Sequence, residues 1–182
     1  VWIHGGAYRH GTGSIPWYDG TRFANESDIV TVTINYRLGA LGFARIPGAP
    51  TSGINGILDQ ISALEWVRNN IESFGGDPNN ITIAGESAGA FSVATIMAMN
   101  ESTGLFQKAI TQSGAGHHVL SQQEAESAGE MFMTALSATS LQDAQRKDIH
   151  AVLAAQKYVE ENAHEVMDKG QLPFYPSITN GY

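Results

Sequence analysis

The 182 residues carry 10 Lys plus Arg against 18 Asp plus Glu, a formal charge of −8, with 15% of side chains charged and 42% hydrophobic. That balance argues against a nucleic-acid partner, which needs clustered cations, and the absence of cysteine excludes a disulfide scaffold or a thiolate metal or redox centre. No apolar run approaches the ~18 residues of a membrane span, and the composition is too apolar for a disordered chain.

In chain order, Val1-Trp2-Ile3 already reads as a strand, with no initiator methionine or signal peptide before it. The chain is therefore expected to be an internal piece of a longer protein. A glycine pair follows in His4-Gly5-Gly6-Ala7-Tyr8. Glycines just after a strand expose backbone N–H groups with little steric cover, as an oxyanion hole requires; a plain Gly-Gly turn would look the same in so glycine-rich a chain. The β-branched run Ile29–Ile34 predicts a buried strand. From Ile57 the period changes: Ile57, Ile61, Leu64, Val67 and Ile71 recur at helical spacing, and Gly75-Gly76-Asp77-Pro78 marks the stop.

Ile81–Ala84 then predicts a short strand, Ala88–Met99 an apolar helix and Lys108–Gln112 a further strand. The order β-β-α-β-α-β implies an α/β fold, a mostly parallel sheet with helices on both faces. After Ser121 the stretches Ala125–Leu136 and Ile149–Met167 predict amphipathic helices. Residues 121–170 hold nine acidic and four basic side chains, and so most of the net charge, on what is expected to be a solvated face. The expected organisation is a sheet core over residues 1–120 and peripheral helices with the start of a further segment over 121–182.

Between the second strand and its helix lies Gly85-Glu86-Ser87-Ala88-Gly89, a G-x-S-x-G pentapeptide. A strand running in and a helix running out is the setting that lifts a serine above a sheet on a strained turn. A serine that merely caps the helix would give the same pentapeptide. The two glycines are expected to be sterically required, because neighbouring segments crowd so sharp a turn.

Taken together, Trp2 to Tyr8, Asn35-Tyr36-Arg37-Leu38-Gly39 with Gly42-Phe43, Leu58-Asp59-Gln60, Ala63-Leu64-Glu65-Trp66-Val67, Phe74 to Pro78, Gly85 to Gly89 and Gln112-Ser113-Gly114 fall in one order over about 115 residues. In these stretches the chain resembles the central part of the type-B carboxylesterases, the group of para-nitrobenzyl esterases and cholinesterases. The resemblance implies an α/β-hydrolase fold, incomplete in this chain, and cleavage of small-molecule carboxylic esters through an acyl-enzyme. It implies Ser87 as the nucleophile and the backbone N–H groups of Gly6, Ala7 and Ala88 as the oxyanion hole. It also implies Arg37 and Asp59 as a buried supporting ion pair, against the alternative of two unrelated surface charges. The tail Leu172–Pro176 with Asn180-Gly181 is similar to a family segment that reads Asp-Gly at its end, so Asn180 is a departure.

Glu86 is expected to support the site without serving as the triad acid, since a residue adjacent on a tight elbow points away from Ser87. Ser113 reads equally as a site hydrogen-bonder or a core serine. The general base is expected to be missing: His4 and His10 precede the nucleophile, His117 and His118 follow a strand too soon, and His150 and His164 sit in charged helical patterns. The acid and histidine are expected beyond Tyr182, leaving the isolated piece inactive. No metal or organic cofactor is expected, because no ligand spacing appears. Alternatives are a non-catalytic cholinesterase-like binding or adhesion scaffold, and a small self-sufficient lipase using His164. Ester identity, oligomeric state and localisation are not legible.

Overall fold

The computed structural model describes residues 1–167 and 172–178. The tail pair Asn180-Gly181 lies outside the described residues. Among these the chain forms strands β1 (Trp2–Ile3), β2 (Thr82–Glu86) and β3 (Lys108–Gln112). Its helices are α1 (Thr21–Ser27), α2 (Gly39–Phe43), α3 (Asn55–Asn70), α4 (Ala88–Ala98), α5 (Gln122–Ala135), α6 (Leu141–Gln145) and α7 (Ile149–Asn162). They divide into two compact units, one of residues 1–36 and 57–117, the other of 37–56 and 118 onward.

The first unit is built on a parallel sheet in the order β1-β2-β3. β2 is central, pairing Trp2 with Ala84 and Ile3 with Gly85 on one side. On its other side the register runs from Thr82 opposite Lys108 to Glu86 opposite Gln112. α4 packs against all three strands and buries Ala88, Ala90, Val93 and Ile96. α3 buries the stripe its spacing predicts: Ile57, Ile61, Leu64 and Val67, with Ile71 just beyond. Val67 and Ile71 cluster with Ile81 from the strand entry, and Val1, Val32 and Phe106 close over them. The helix passes into a 3-10 turn at Ile71–Phe74 and ends at Gly75 in the left-handed conformation.

The run at Ile29–Ile34 does not form the expected buried strand. It makes a single bridge, Thr33 to Trp2, with Trp2 N–H bonded to Val32 O at 2.7 Å, and Ile29 and Val30 are exposed. β1 offers only two residues, too few to extend that bridge into a ladder.

In the second unit α5 and α7 pack on each other, within the two stretches whose amphipathic pattern predicts helices. Leu120, Ala125, Ala128, Ala163 and Met167 form its core, joined by Tyr175. α5 starts in a capping box: Ser121 Oγ accepts from Glu124 N–H while the Glu124 carboxylate accepts from Ser121 N–H at 2.8 Å. Gln156 on α7 accepts the Ala40 N–H of α2 at 3.0 Å. The tail returns to Leu120, whose N–H bonds Pro176 O at 2.8 Å, and seats Phe174 edge-on against Phe132. No described helix is long and apolar enough to cross a membrane.

Candidate active site

β2 delivers the chain to Ser87, and α4 leaves from Ala88. Ser87 stands at φ 54°, ψ −121°, a conformation L-residues reach only at a cost of ~1–3 kcal/mol when their surroundings impose it. Two contacts impose it here. Ser87 N–H bonds Gln112 O at the end of β3, at 3.0 Å. Gly85 lies against the backbone of Gly89 and Ala90, and Gly89 against the Ile3 carbonyl, so a Cβ at either position would strike main chain. The expectation that these glycines are steric necessities is met in detail. The capping alternative is not: Ser87 makes no side-chain capping bond to α4, and its half-buried side chain sits above the C-terminal end of the sheet.

The glycine loop after β1 arrives at the same point. A Cβ placed on Gly5 would stand 3.2 Å from Ser87 Cβ and 3.1 Å from Glu86 Oε2, so both residues approach one glycine. Glu86, the last residue of β2, and the elbow both lie against Gly5. Beyond Gly5 the loop holds three successive residues at positive φ: Gly6 at 109°, Ala7 at 55° and Tyr8 at 56°. Its turn closes on Gly6 O, which accepts from Arg9 N–H at 3.0 Å and His10 N–H at 3.1 Å.

Among the described residues, the N–H groups of Gly6, Ala7 and Ala88 are spent on no hydrogen bond. Gly6 and Ala7 are partly exposed, while Ala88 is fully buried at the first position of α4. A buried unpaired donor costs ~1–3 kcal/mol, and at a helix N-terminus it lies in a field that favours negative charge. Unspent donors on the loop that meets Ser87 at Gly5, and on the residue after Ser87, are the kind of group that suits a tetrahedral oxyanion.

Several side chains lock this loop. His4 is buried, stacks on Tyr36 with centroids 4.5 Å apart, and turns Nδ1 to Gly5 O at 2.8 Å. The Tyr36 hydroxyl donates to His4 O at 2.8 Å, and burial pushes its pKa up. Desolvation likewise lowers the His4 pKa, against a smaller upward pull from Gly5 O. His4 is a structural member of the loop. From outside, Asn35 Oδ1 accepts the Thr12 hydroxyl at 3.0 Å and Gly13 N–H at 2.9 Å. From beneath, Gln60 Nε2 donates to Ser92 Oγ at 3.0 Å and Ser92 Oγ to the Tyr8 hydroxyl at 3.2 Å.

Sequence reasoning missed Gln60 and Ser92 as site residues, though a signal was there. Both are polar residues on otherwise apolar helical stripes, and such groups must find partners once buried. Ser113 is exposed, at φ 55° after β3, and so is no core serine. Arg37 is exposed just before α2, and Asp59 is half-buried on α3. His10, His117, His150 and His164 are exposed. No group of three or more His, Asp or Glu that could hold a metal occurs among the described residues.

A sequence profile of the carboxylesterase family matches residues 1–182. The para-nitrobenzyl esterase of Bacillus subtilis (strain 168) is 41% identical over 183 residues, 98% of this chain and 37% of that protein. The acetylcholinesterase of Myxine glutinosa is 37% identical over 98% of this chain and 54% of its own length. A solved thermophilic PNB esterase superimposes with a TM-score of 0.89 at 40% identity, covering 97% of this chain and 37% of that one. The chain thus spans little more than a third of the bacterial esterases it matches, and it shares their α/β-hydrolase fold.

Proposed function

The chain belongs to the carboxylesterase family, and on that footing we propose that the full-length protein carrying it is a serine esterase acting on small carboxylic esters. Ser87 Oγ attacks the ester carbonyl, and the oxygen that becomes negative is received by the N–H groups of Gly6, Ala7 and Ala88. The alcohol departs, leaving an ester of Ser87 that water then hydrolyses. Each donor supplies ~3 kcal/mol of transition-state stabilisation, because it meets charge that exists only there. A serine hydroxyl needs a base, and we assign that base and its orienting acid to polypeptide beyond residue 182. His4 cannot serve: it is buried, stacked and turned to Gly5 O.

The observation that carries this reading is a strained, non-capping Ser87 that lies against Gly5, with unspent N–H groups on Ala88 and on Gly6 and Ala7 of the same glycine loop. Fluorophosphonate labelling of the full-length protein tests it. Ser87→Ala is expected to abolish labelling and to lower kcat on 4-nitrophenyl acetate by about 10³-fold or more. Labelling that survives the substitution places the nucleophile elsewhere.

A further inference from the structure

Ala88 and Ser92 are one turn apart on α4, i and i+4, and so share a face of that helix. Ala88 carries one of the three unspent N–H groups. Ser92, fully buried, donates its hydroxyl to the Tyr8 hydroxyl at 3.2 Å and receives Gln60 Nε2 at 3.0 Å. Tyr8 is the residue immediately after Ala7, and its side chain is fully buried. The helix that presents one donor is therefore tied, four residues on, to the loop that presents the other two. The tie falls where it is needed mechanically. Gly6, Ala7 and Tyr8 all hold positive φ, and a loop so strained relaxes unless its surroundings over-determine it.

We propose that the Tyr8 hydroxyl is a positioning group: through Ser92 and Gln60 it sets the spacing between the Gly6–Ala7 donors and Ala88 N–H. The proposal rests on these three groups forming the oxyanion hole. It asks nothing of Tyr8 as an acid or a base, and Tyr8 touches no substrate. The ring alone holds the loop in place approximately, by burial and by its edge contact with Tyr36 at 6.5 Å. The hydroxyl fixes the remaining fraction of an ångström, on which the strength of a hydrogen bond to a developing charge depends.

The test uses Tyr8→Phe, Ser92→Ala and the double variant in the full-length protein. The readouts are kcat and KM on 4-nitrophenyl acetate and Ki for an aryl trifluoromethyl ketone, which a serine esterase binds as a hemiketal oxyanion. Tyr8→Phe is expected to lower kcat about five- to tenfold with KM within about twofold, and to raise Ki by the factor lost in kcat/KM. Ser92→Ala should do the same, and the double variant should be no worse than the worse single one, since both cut one tie. A folding defect with no positional role would reduce the active fraction, read by fluorophosphonate titration, without moving Ki. If Tyr8→Phe does not fold, Ser92→Ala carries the same comparison. The proposal is overturned if kcat and Ki stay within about twofold of the parent, or if the two losses multiply. The Ser87→Ala control separates the two readings: surviving labelling there brings down the nucleophile assignment first.

Discussion

His4, which its place before Ser87 already sets aside as a general base, is architectural in the fold. It is 1% exposed and stacked on Tyr36, and desolvation holds its pKa below the ordinary 6.5. The unfolded chain protonates this histidine as pH falls through 6.5, whereas the folded chain resists until a lower pH. Below 6.5 the unfolded state therefore binds more protons, and stability falls as the solution is acidified. Thermal unfolding between pH 7.5 and 5.5 should accordingly show a smaller acid loss in His4→Gln than in the parent. Equal slopes would mean that His4 is not neutral in the fold. At this scale the sequence carried much of the site: Ser87, the glycine loop and both elbow glycines can be read from motif and neighbours. The exposure of Arg37 could not be, because it depends on what the fold packs against that side chain.

Elements with a long, strict period were the most legible. α3 buries four of the five apolar residues its spacing selects, and the fifth, Ile71, is buried just beyond its end. Ile29–Ile34 misled because β-branched composition reports a preference for extended backbone, while a strand also needs a partner of matching length. The short helices α1, α2 and α6 escaped notice, since five to seven residues hold too little periodicity. Gly129 offers a test inside α5. Propensity alone predicts that Gly129→Ala gains about 1 kcal/mol in a helix interior. A Cβ there, however, would run into the carbonyl group of Arg45, within 2.8 Å of its carbon. The substitution is expected to destabilise by about 1–3 kcal/mol, as overpacking does; a rise in the denaturation midpoint would show that the contact yields freely.

At the scale of the whole chain, the low charge fraction has a visible counterpart. Every residue of β3 is exposed, Ile110 at 49%, and Trp66, Phe74 and Trp17 are exposed as well. β3 is also the outer strand of the described sheet. An edge of this kind is a template for pairing with another chain. A polypeptide of residues 1–182 produced by itself should self-associate with rising concentration in sedimentation velocity, and Ile110→Lys should reduce that association. Monomeric behaviour of the unsubstituted polypeptide at high concentration would contradict this. The excess of acid over base in residues 121–170 says nothing about this edge, which carries a lysine and no acid.

The backbone angle at Ser87 has a last consequence. A residue held at φ 54°, ψ −121° is one at which glycine would rest more easily than serine, so the position that the proposed chemistry needs most is one the fold would exchange. Selection for stability and selection for turnover pull in opposite directions at this single codon. On the proposed role of Ser87, a chain relieved of turnover would gain stability by exchanging this serine for glycine.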